Sequence, residues 1–246
     1  PWEDGEFVGG FSAIGGSGSL VDGFVDQLLP GIDRHVFNTS ANFEAIPGHT
    51  FFGEFKYVNS KTRFIAQPTF DFGIAVPVDN PYIPAAALAD AMDPDGGYGY
   101  NFGAVFVARD NFDLGNTGTD IERETFRTVA GVEGELGAHF NYEISANIGV
   151  TKSRSEYFGN RISERWLAGI DAVVDPATGD IVCRSDLDPS AVPFDQNPDT
   201  WGLTFTPGPG SGCVPTNIFG ENVSAEAAAW INTTSVSNDR LEQSVF

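Results

Sequence analysis

The sequence has little of what several common functions require. Only three lysines occur in 246 residues, and the formal net charge is −21. Binding to nucleic-acid phosphates depends on clustered Lys and Arg, so the sequence argues against a nucleic-acid partner. Repulsion between this negative charge and an anionic membrane surface also disfavours peripheral attachment to such a surface. No run of about 18 apolar residues exists, so no transmembrane helix is expected.

Catalytic and metal-binding patterns are also missing, so the sequence predicts neither an enzyme nor a cofactor nor a metal site. His35, His49 and His139 do not lie at metal-ligand spacing from cysteines or carboxylates. No G-x-S-x-G is present, and the early glycine pairs are not followed by the Lys-Ser/Thr of a phosphate-binding loop. Asp93 and Asp95 resemble the first two ligands of a calcium loop. The distal Glu of that motif is missing, which favours a plain turn.

Cysteine is scarce as well, with Cys183 and Cys213 the only two. In a cytosolic protein they would be free thiols. In an exported protein they suggest a disulfide that closes a loop of about 30 residues and contributes about 3–4 kcal/mol. The sequence leaves both alternatives open.

The chain is rich in Phe, Gly and Pro, which favour strands and turns over helices. Its clearest pattern runs from Ile121 to Tyr157, as two alternating segments joined by a turn at residues 137–139. Phe126, Val132, Leu136, Phe140, Ile144 and Ile148 fall on the apolar faces of the two segments. Arg123, Arg127, Glu133, Glu135 and Glu143 fall on the polar faces. A period of two residues predicts a hairpin with one apolar and one polar face.

The two strands of this hairpin are unusually long, at about 16 and 18 residues, whereas strands average about 5–6 residues. Strands that cross an outer membrane need about 9–11 residues and can project further. An apolar outer face with charges on the inner face suits a transmembrane barrel. A long hairpin on one side of a soluble sandwich gives the same periodicity and remains the alternative.

The alternating pattern recurs elsewhere in the chain. Residues 34–57 predict a second hairpin with a turn at residues 46–49, and residues 101–113 predict a further strand. Residues 114–120 predict a turn, with the strand parity around 101–120 left open, and a last strand begins at residue 233. Together these patterns predict about six or seven strands.

Two long connections, residues 59–100 and 158–229, separate the predicted strands. Helices are expected over residues 85–92, 162–174 and 225–231, with Trp166 in the core of the second connection. Tyr98, Tyr100 and Trp201 lie in these loops and are the candidates for stacking on a ligand.

Four segments taken together resemble the barrel region of TonB-dependent outer-membrane receptors, in the form common among alphaproteobacteria. They are Asn80-Pro81-Tyr82-Ile83-Pro84 with the alanine-rich helix that follows, residues 125–136, residues 140–145 with Gly149, and residues 181–185 paired with 213–220. Their order and spacing carry the resemblance, which covers roughly residues 33–246.

The resemblance implies an all-β fold, an antiparallel up-and-down transmembrane β-barrel that is only partly present, with long extracellular loops carrying short helices. Residues 1–32 would be an irregular glycine-rich segment and residues 33–246 the partial barrel. The polar residues of the hairpin, Arg123, Arg127, Glu133, Glu135 and Glu143, would face the lumen. No plug domain or TonB-contacting box is visible, and six or seven strands cannot close a barrel. We therefore expect an internal segment of a larger receptor, or the ordered part of one.

The function implied by the resemblance is active transport across the bacterial outer membrane. The ligand would be a scarce nutrient, such as a ferric siderophore, a glycan or a cofactor. The expected partners are the TonB complex, reached through the plug, this small-molecule or oligosaccharide ligand, and outer-membrane lipid. The alternatives are a secreted acidic β-sandwich that binds a surface partner, and a passive porin.

Overall fold

The computed structural model of the protein describes residues 2–3, 6–7, 27, 29–95, 102–137 and 139–246. Antiparallel strands dominate it, as the alternating pattern predicts. The strands are β1 (Trp2–Glu3), β2 (Glu6–Phe7), β3 (Gly31–Ile46), β4 (His49–Pro68), β5 (Phe70–Pro77), β6 (Ala104–Asp110), β7 (Asn116–Leu136), β8 (Phe140–Arg161), β9 (Ala172–Val174), β10 (Ile181–Cys183) and β11 (Asn232–Val245). The helices are α1 (Ala85–Ala91), α2 (Ser163–Ile170), α3 (Arg184–Leu187) and α4 (Ala225–Ile231), with 3-10 turns at Phe112–Leu114 and Pro198–Thr200. Every helix in the described ranges is too short or too polar to cross a bilayer.

Five long strands form one open sheet in the order β11-β8-β7-β4-β3. Strands β3 and β4 pair antiparallel, with Phe37 opposite Tyr57 and Asp33 opposite Lys61. The turn between them includes Gly48, whose φ of 82° is one that residues with a side chain rarely adopt. Strands β3 and β11 are the two edges, so the sheet seen here is not a closed barrel.

The strand boundaries correct the sequence interpretation in two places. Strand β4 extends to Pro68 and β5 follows at once, so much of the predicted connection 59–100 is strand. Strand β7 begins at Asn116, so residues 116–120 are not the predicted turn. This part of β7 is polar, and Thr117 donates its hydroxyl to the carbonyl of Gln67 at 2.8 Å. Polar strands of this kind lack the apolar alternation that marks the rest of the sheet.

The parity of strands around residues 101–120 also follows from the structure. Strand β6 pairs antiparallel with β5 in a separate two-stranded sheet, with a register shift beside Gly73. The chain therefore leaves the five-stranded sheet after β4 and returns to it with β7.

The chain divides into two compact units. The sheet unit comprises Gln27–Ile65, Gly118–Tyr157 and Ser235–Phe246, and the loop unit comprises Ala66–Thr117 and Phe158–Thr234 together with the start of the chain. The main buried apolar cluster lies wholly in the loop unit. Its members are Ile74, Val76, Ile83, Ala87, Val105, Leu114, Trp166, Ile170, Ile218, Phe219, Ala227 and Ile231. The prediction that Trp166 is a core residue is confirmed, since it is 1% exposed.

The predicted helices are present, but one of them is shorter than expected. Helix α2 ends at Ile170, and Val173 and Val174 belong to β9 instead, where they pair with β10. These β-branched residues suit a strand, and their helical spacing was accidental. Helix α4 matches the prediction, and the side chain of Ser224 caps it by accepting from the amide of Ala227 at 3.0 Å.

Candidate functional site

The two faces of the five-stranded sheet differ in chemistry. On one face Thr125 and Thr151 approach to 3.1 Å through their hydroxyls, and Arg127 donates to the side-chain oxygen of Asn147 at 3.1 Å. We call this the polar face. On the other face the ring of Tyr57 packs against that of Phe126, with centroids 4.8 Å apart.

An apolar belt covers most of the second face within the sheet unit. Its larger side chains are Phe37, Phe43, Phe51, Phe55, Tyr57, Phe126, Val132, Leu136, Phe140, Tyr142, Ile144, Ile148 and Val150. Many of them are solvent-exposed, including Phe140 at 72%, Phe43 at 69% and Ile144 at 67%. Soluble proteins rarely expose a contiguous apolar surface of this kind, which usually marks contact with a protein or a membrane.

Aromatic side chains mark both ends of the apolar belt. At the end away from the hairpin turns, Phe37 pairs in register with Tyr57, whose ring meets Phe126. At the turn end, the hydroxyl of Tyr142 lies 2.9 Å from Nδ1 of His49. Gly134 makes this contact possible, because a Cβ there would collide with the His49 ring.

A band of charged residues adjoins the belt on the same face, beyond Tyr57 and Phe126; we call it the charged band. Its ion pairs link neighbouring strands, with Lys61 3.0 Å from Glu122 and Arg63 3.5 Å from Asp120. Two open grooves of about 400 and 380 Å³ lie in this band. The charged lining of the first is Glu122, Glu124, Lys152, Arg154, Asp239 and Arg240. That of the second is Asp33, Lys61, Arg63, Asp120, Glu122 and Arg154.

The five residues predicted to face a barrel lumen all lie on the polar face of the sheet and are exposed. They are Arg123, Arg127, Glu133, Glu135 and Glu143. Arg127 has a side-chain partner across the strands in Asn147. That this face lines a lumen stays a prediction.

In the loop unit, Cys183 and Cys213 form a disulfide with their Cα atoms 6.2 Å apart. Of the two alternatives that the sequence left open, the structure has the bonded pair. The bridge joins the end of β10 to the segment that precedes α4, and Cys183 is fully buried.

A buried carboxylate that the sequence did not single out organises residues 202–204. Glu164 is 6% exposed and accepts hydrogen bonds from the amides of Gly202, Leu203 and Thr204 and from the Thr204 hydroxyl. The Leu203 and Thr204 amides lie 3.1 and 2.8 Å from it. These donors stabilise a buried charge that would otherwise be costly. No local sequence pattern predicts this role, because the donors lie about forty residues after Glu164 in the chain.

Two arginines flank the buried ring of Trp166. Arg161 forms a bidentate ion pair with Asp71, and Arg109 pairs with Asp113 at 2.9 Å. Their guanidinium carbons lie 5.1 and 6.0 Å from the Trp166 ring centroid. Both guanidinium groups therefore lie within cation–π distance of the ring. The Arg161–Asp71 pair joins segments 90 residues apart, whereas Arg109 and Asp113 are four residues apart.

Another carboxylate of the loop unit, Asp171, is buried and accepts a hydrogen bond from Nε of Arg184 at 3.0 Å. Burial raises the pKa of the Asp171 carboxyl, and the neighbouring Arg184 charge offsets part of that rise. Arg184 also reaches Asp79 at 2.6 Å.

All four arginines of the loop unit have internal partners, because Arg165 donates to the carbonyls of Trp230 and Thr204. The exposed charges of the described loop unit are consequently carboxylates. They are Asp79, Asp90, Asp93, Asp95, Asp180, Asp188, Asp195, Asp199, Glu221 and Glu226.

The predicted ligand-stacking aromatics are only partly described. Trp201 is half-buried; its indole donates to the carbonyl of Pro189 at 3.1 Å and its ring meets Phe205 edge-on. Tyr98 and Tyr100 lie outside the described residues. Asp93 accepts the amide of Asp95 at 2.9 Å in a turn, as expected. Within the described ranges, no group of three potential metal-binding side chains comes together.

Comparison with known proteins gives no relative for this chain. No family model, no curated protein and no solved structure matches it.

Proposed function

We propose that the sheet unit is part of the wall of an outer-membrane β-barrel and that the whole protein is a TonB-dependent receptor. The observation that carries this proposal is the exposed apolar belt on one face of strands whose other face is polar. Lipid on one side and water on the other would satisfy both faces.

The height of the belt agrees with this assignment. From Phe126 to Leu136 the strand rises about 33 Å, at about 3.3 Å per residue. At the tilt of about 40° that is usual in barrels, the belt would be about 25 Å tall, the height of their apolar band. The aromatic residues at its two ends occupy the positions of the interfacial girdles of such barrels.

The open edges of the sheet support a larger assembly. Unpaired backbone groups on β3 and β11 would each cost several kcal/mol in hydrocarbon, so both edges must pair with further strands in a membrane. We infer that these strands belong to the same barrel.

The loop unit favours a receptor over the two alternatives. The connections β4-β7 and β8-β11 contain a folded unit with its own core and a disulfide. A folded unit of this kind is expected in a receptor that captures a ligand, whereas a passive pore does not need one. In a secreted β-sandwich a second sheet would cover the apolar belt, whereas the belt residues are exposed. The acidic exterior of the loop unit favours a neutral or cationic nutrient over a polyanion.

Site-directed spin labelling of neighbouring residues tests the membrane assignment. Ile144 lies in the belt and Ser145 on the opposite face of the same strand, so Ile144→Cys and Ser145→Cys are matched variants. In phospholipid vesicles, the label at position 144 is expected to collide mainly with oxygen, and the label at 145 with a water-soluble nickel complex. Equal access of the nickel complex to both labels would contradict a lipid-facing belt.

Growth on a limiting nutrient tests the transport mechanism. A strain that depends on this protein is expected to stop growing on that nutrient when TonB is inactivated. Growth that persists at the same rate without TonB would indicate a passive porin.

A further inference from the structure

The charged band lies at the end of the strands that carries the long connections, away from the hairpin turns. In the proposed barrel these connections are extracellular, so the band would face the outer leaflet of the outer membrane. That leaflet consists largely of glycolipids whose sugar headgroups carry acidic groups. We infer that the two grooves of the band bind the headgroup of such an acidic glycolipid. This inference rests on the proposed membrane location and adds a lipid partner to it.

The lysines and arginines of the described sheet unit are distributed unevenly over the face that carries the apolar belt. Those on this face are Lys61, Arg63, Lys152, Arg154 and Arg240, and every one of them lines a groove of the band. Among the described residues, neither the belt nor its turn end adds a lysine or arginine to this face. The two ends of the belt therefore differ in charge. An outer membrane has a matching asymmetry, with acidic glycolipid in the outer leaflet and phospholipid in the inner one.

Each groove offers both kinds of group that an acidic sugar headgroup requires. Three basic and three acidic side chains line each one, a local balance that contrasts with the formal net charge of −21. Lysine and arginine bind phosphate or carboxylate groups through charge-assisted hydrogen bonds. The carboxylates can accept hydrogen bonds from sugar hydroxyls. A phospholipid without a sugar ring would engage fewer of these side chains.

The ion pairs of the band leave its charges accessible to a ligand. The side chains of Lys61 and Arg63 are each 63% exposed, and their partners Glu122 and Asp120 are 43% and 42% exposed. Pairs this exposed are each worth about 0–1 kcal/mol, so they can share their charges with a headgroup at little cost. The groove volumes of about 400 and 380 Å³ lie within the usual range for small-ligand clefts.

The register of the strands places these charges at one level of the sheet. Lys61 pairs in register with Asp33, and its side chain reaches Glu122 on the next strand. Both grooves include Glu122 and Arg154, so they adjoin each other across β7 and β8. A headgroup with more than one sugar ring can therefore contact both grooves.

Competitive lipid retention tests the inference. The whole protein is equilibrated in a non-ionic detergent with equal amounts of phosphorylated lipid A, dephosphorylated lipid A and phosphatidylglycerol. After washing, the bound lipids are counted by mass spectrometry. We expect phosphorylated lipid A to be enriched about tenfold over each competitor, a ratio equivalent to about 1.4 kcal/mol. Dephosphorylated lipid A tests the need for the acidic groups, and phosphatidylglycerol tests the need for the sugar rings.

Matched double variants assign the enrichment to the band. Lys61→Gln combined with Arg154→Gln removes one basic group that lines both grooves and one that lines the second. This variant is expected to lower the enrichment to about threefold or less. Lys56→Gln combined with Arg34→Gln makes the same change of charge on the polar face and should keep the enrichment.

The outcomes separate this inference from the proposed function. Equal retention of the three lipids, enrichment of either competitor, or equal loss in both double variants would overturn it. If the Ile144→Cys label is shielded from nickel but no enrichment occurs, the belt faces lipid and only the glycolipid inference fails. If that label is fully accessible to nickel, the membrane location fails and the glycolipid inference fails with it.

Discussion

Gly131 in β7 is a position where any side chain would clash with a neighbouring strand. A Cβ built there lies 2.7 Å from the backbone oxygen of Ile144 and still closer to the ring of Phe52. The ring can rotate, but the oxygen belongs to the neighbouring strand and cannot move without disturbing the ladder. We therefore expect Gly131→Ala to strain the pairing of β7 with β8.

The magnitude follows from two opposing effects. Overpacking in a close-packed site costs about 1–3 kcal/mol. Replacing Gly by Ala in a strand gains about 0.5–1 kcal/mol, because the unfolded chain loses freedom. The difference between the two predicts that Gly131→Ala lowers the free energy of unfolding by about 0–2.5 kcal/mol. At Gly149, on the same face of β8, the nearest atom to a Cβ is the oxygen of Phe126 at 3.8 Å. Gly149→Ala should therefore gain about 0.5–1 kcal/mol.

The assay is urea unfolding in detergent micelles, followed by the far-UV circular dichroism of the strands. The comparison requires that both variants have the same slope of unfolding free energy against urea concentration. A shift of the unfolding midpoint then reports a change in stability. Adding Phe52→Leu to Gly131→Ala should recover only part of the loss, since the contact with Ile144 remains. If Gly131→Ala is as stable as Gly149→Ala, strands β7 and β8 are not packed as described.

Three further predictions concern the loop unit. Replacing Cys183 and Cys213 by Ser should lower its unfolding free energy by about 3–4 kcal/mol, from the entropy of closing a loop with a sequence separation of 30; unchanged resistance to thermal proteolysis would contradict this. Glu164→Ala should cost about 1–3 kcal/mol, because the amides of residues 202–204 lose their charged acceptor. Glu226→Ala on α4 is an exposed control that should change little. Because burial raises the pKa of Asp171, the folded protein binds this proton more tightly than the unfolded chain does. Stability should therefore fall as pH rises from about 3.9 through the folded pKa, and thermal melts of Asp171→Asn should lack that part of the pH dependence.

The sequence predicted the sheet well because its signal is local. Alternation along β7 and β8 depends only on which face of the strand each residue occupies, so the hairpin and its two faces could be read from neighbouring residues. Helix α4 was predictable for the same reason, since its cap at Ser224 lies within one turn of the helix that it begins. The polar start of β7 was missed because a polar strand and a loop have the same composition.

In the loop unit, local sequence patterns do not predict the roles of several residues. Glu164 reads as an ordinary acidic residue at the start of a helix, and its role depends on amides at residues 202–204. Trp201 reads as a loop aromatic, and only the fold brings its indole to Pro189. The helical spacing of Val173 and Val174 was misleading because their strand partners in β10 lie several residues further on.

Alternation alone was enough to determine that this protein has long strands with one apolar and one polar face, because a period of two residues is a property of the backbone. The arrangement of those strands was decided by tertiary structure. Pairing between distant segments leaves β5 and β6 outside the five-stranded sheet and brings two signs of charge to one end of the apolar belt. Those contacts depend on the free energy of the whole fold, which cannot be inferred from any short stretch of the sequence.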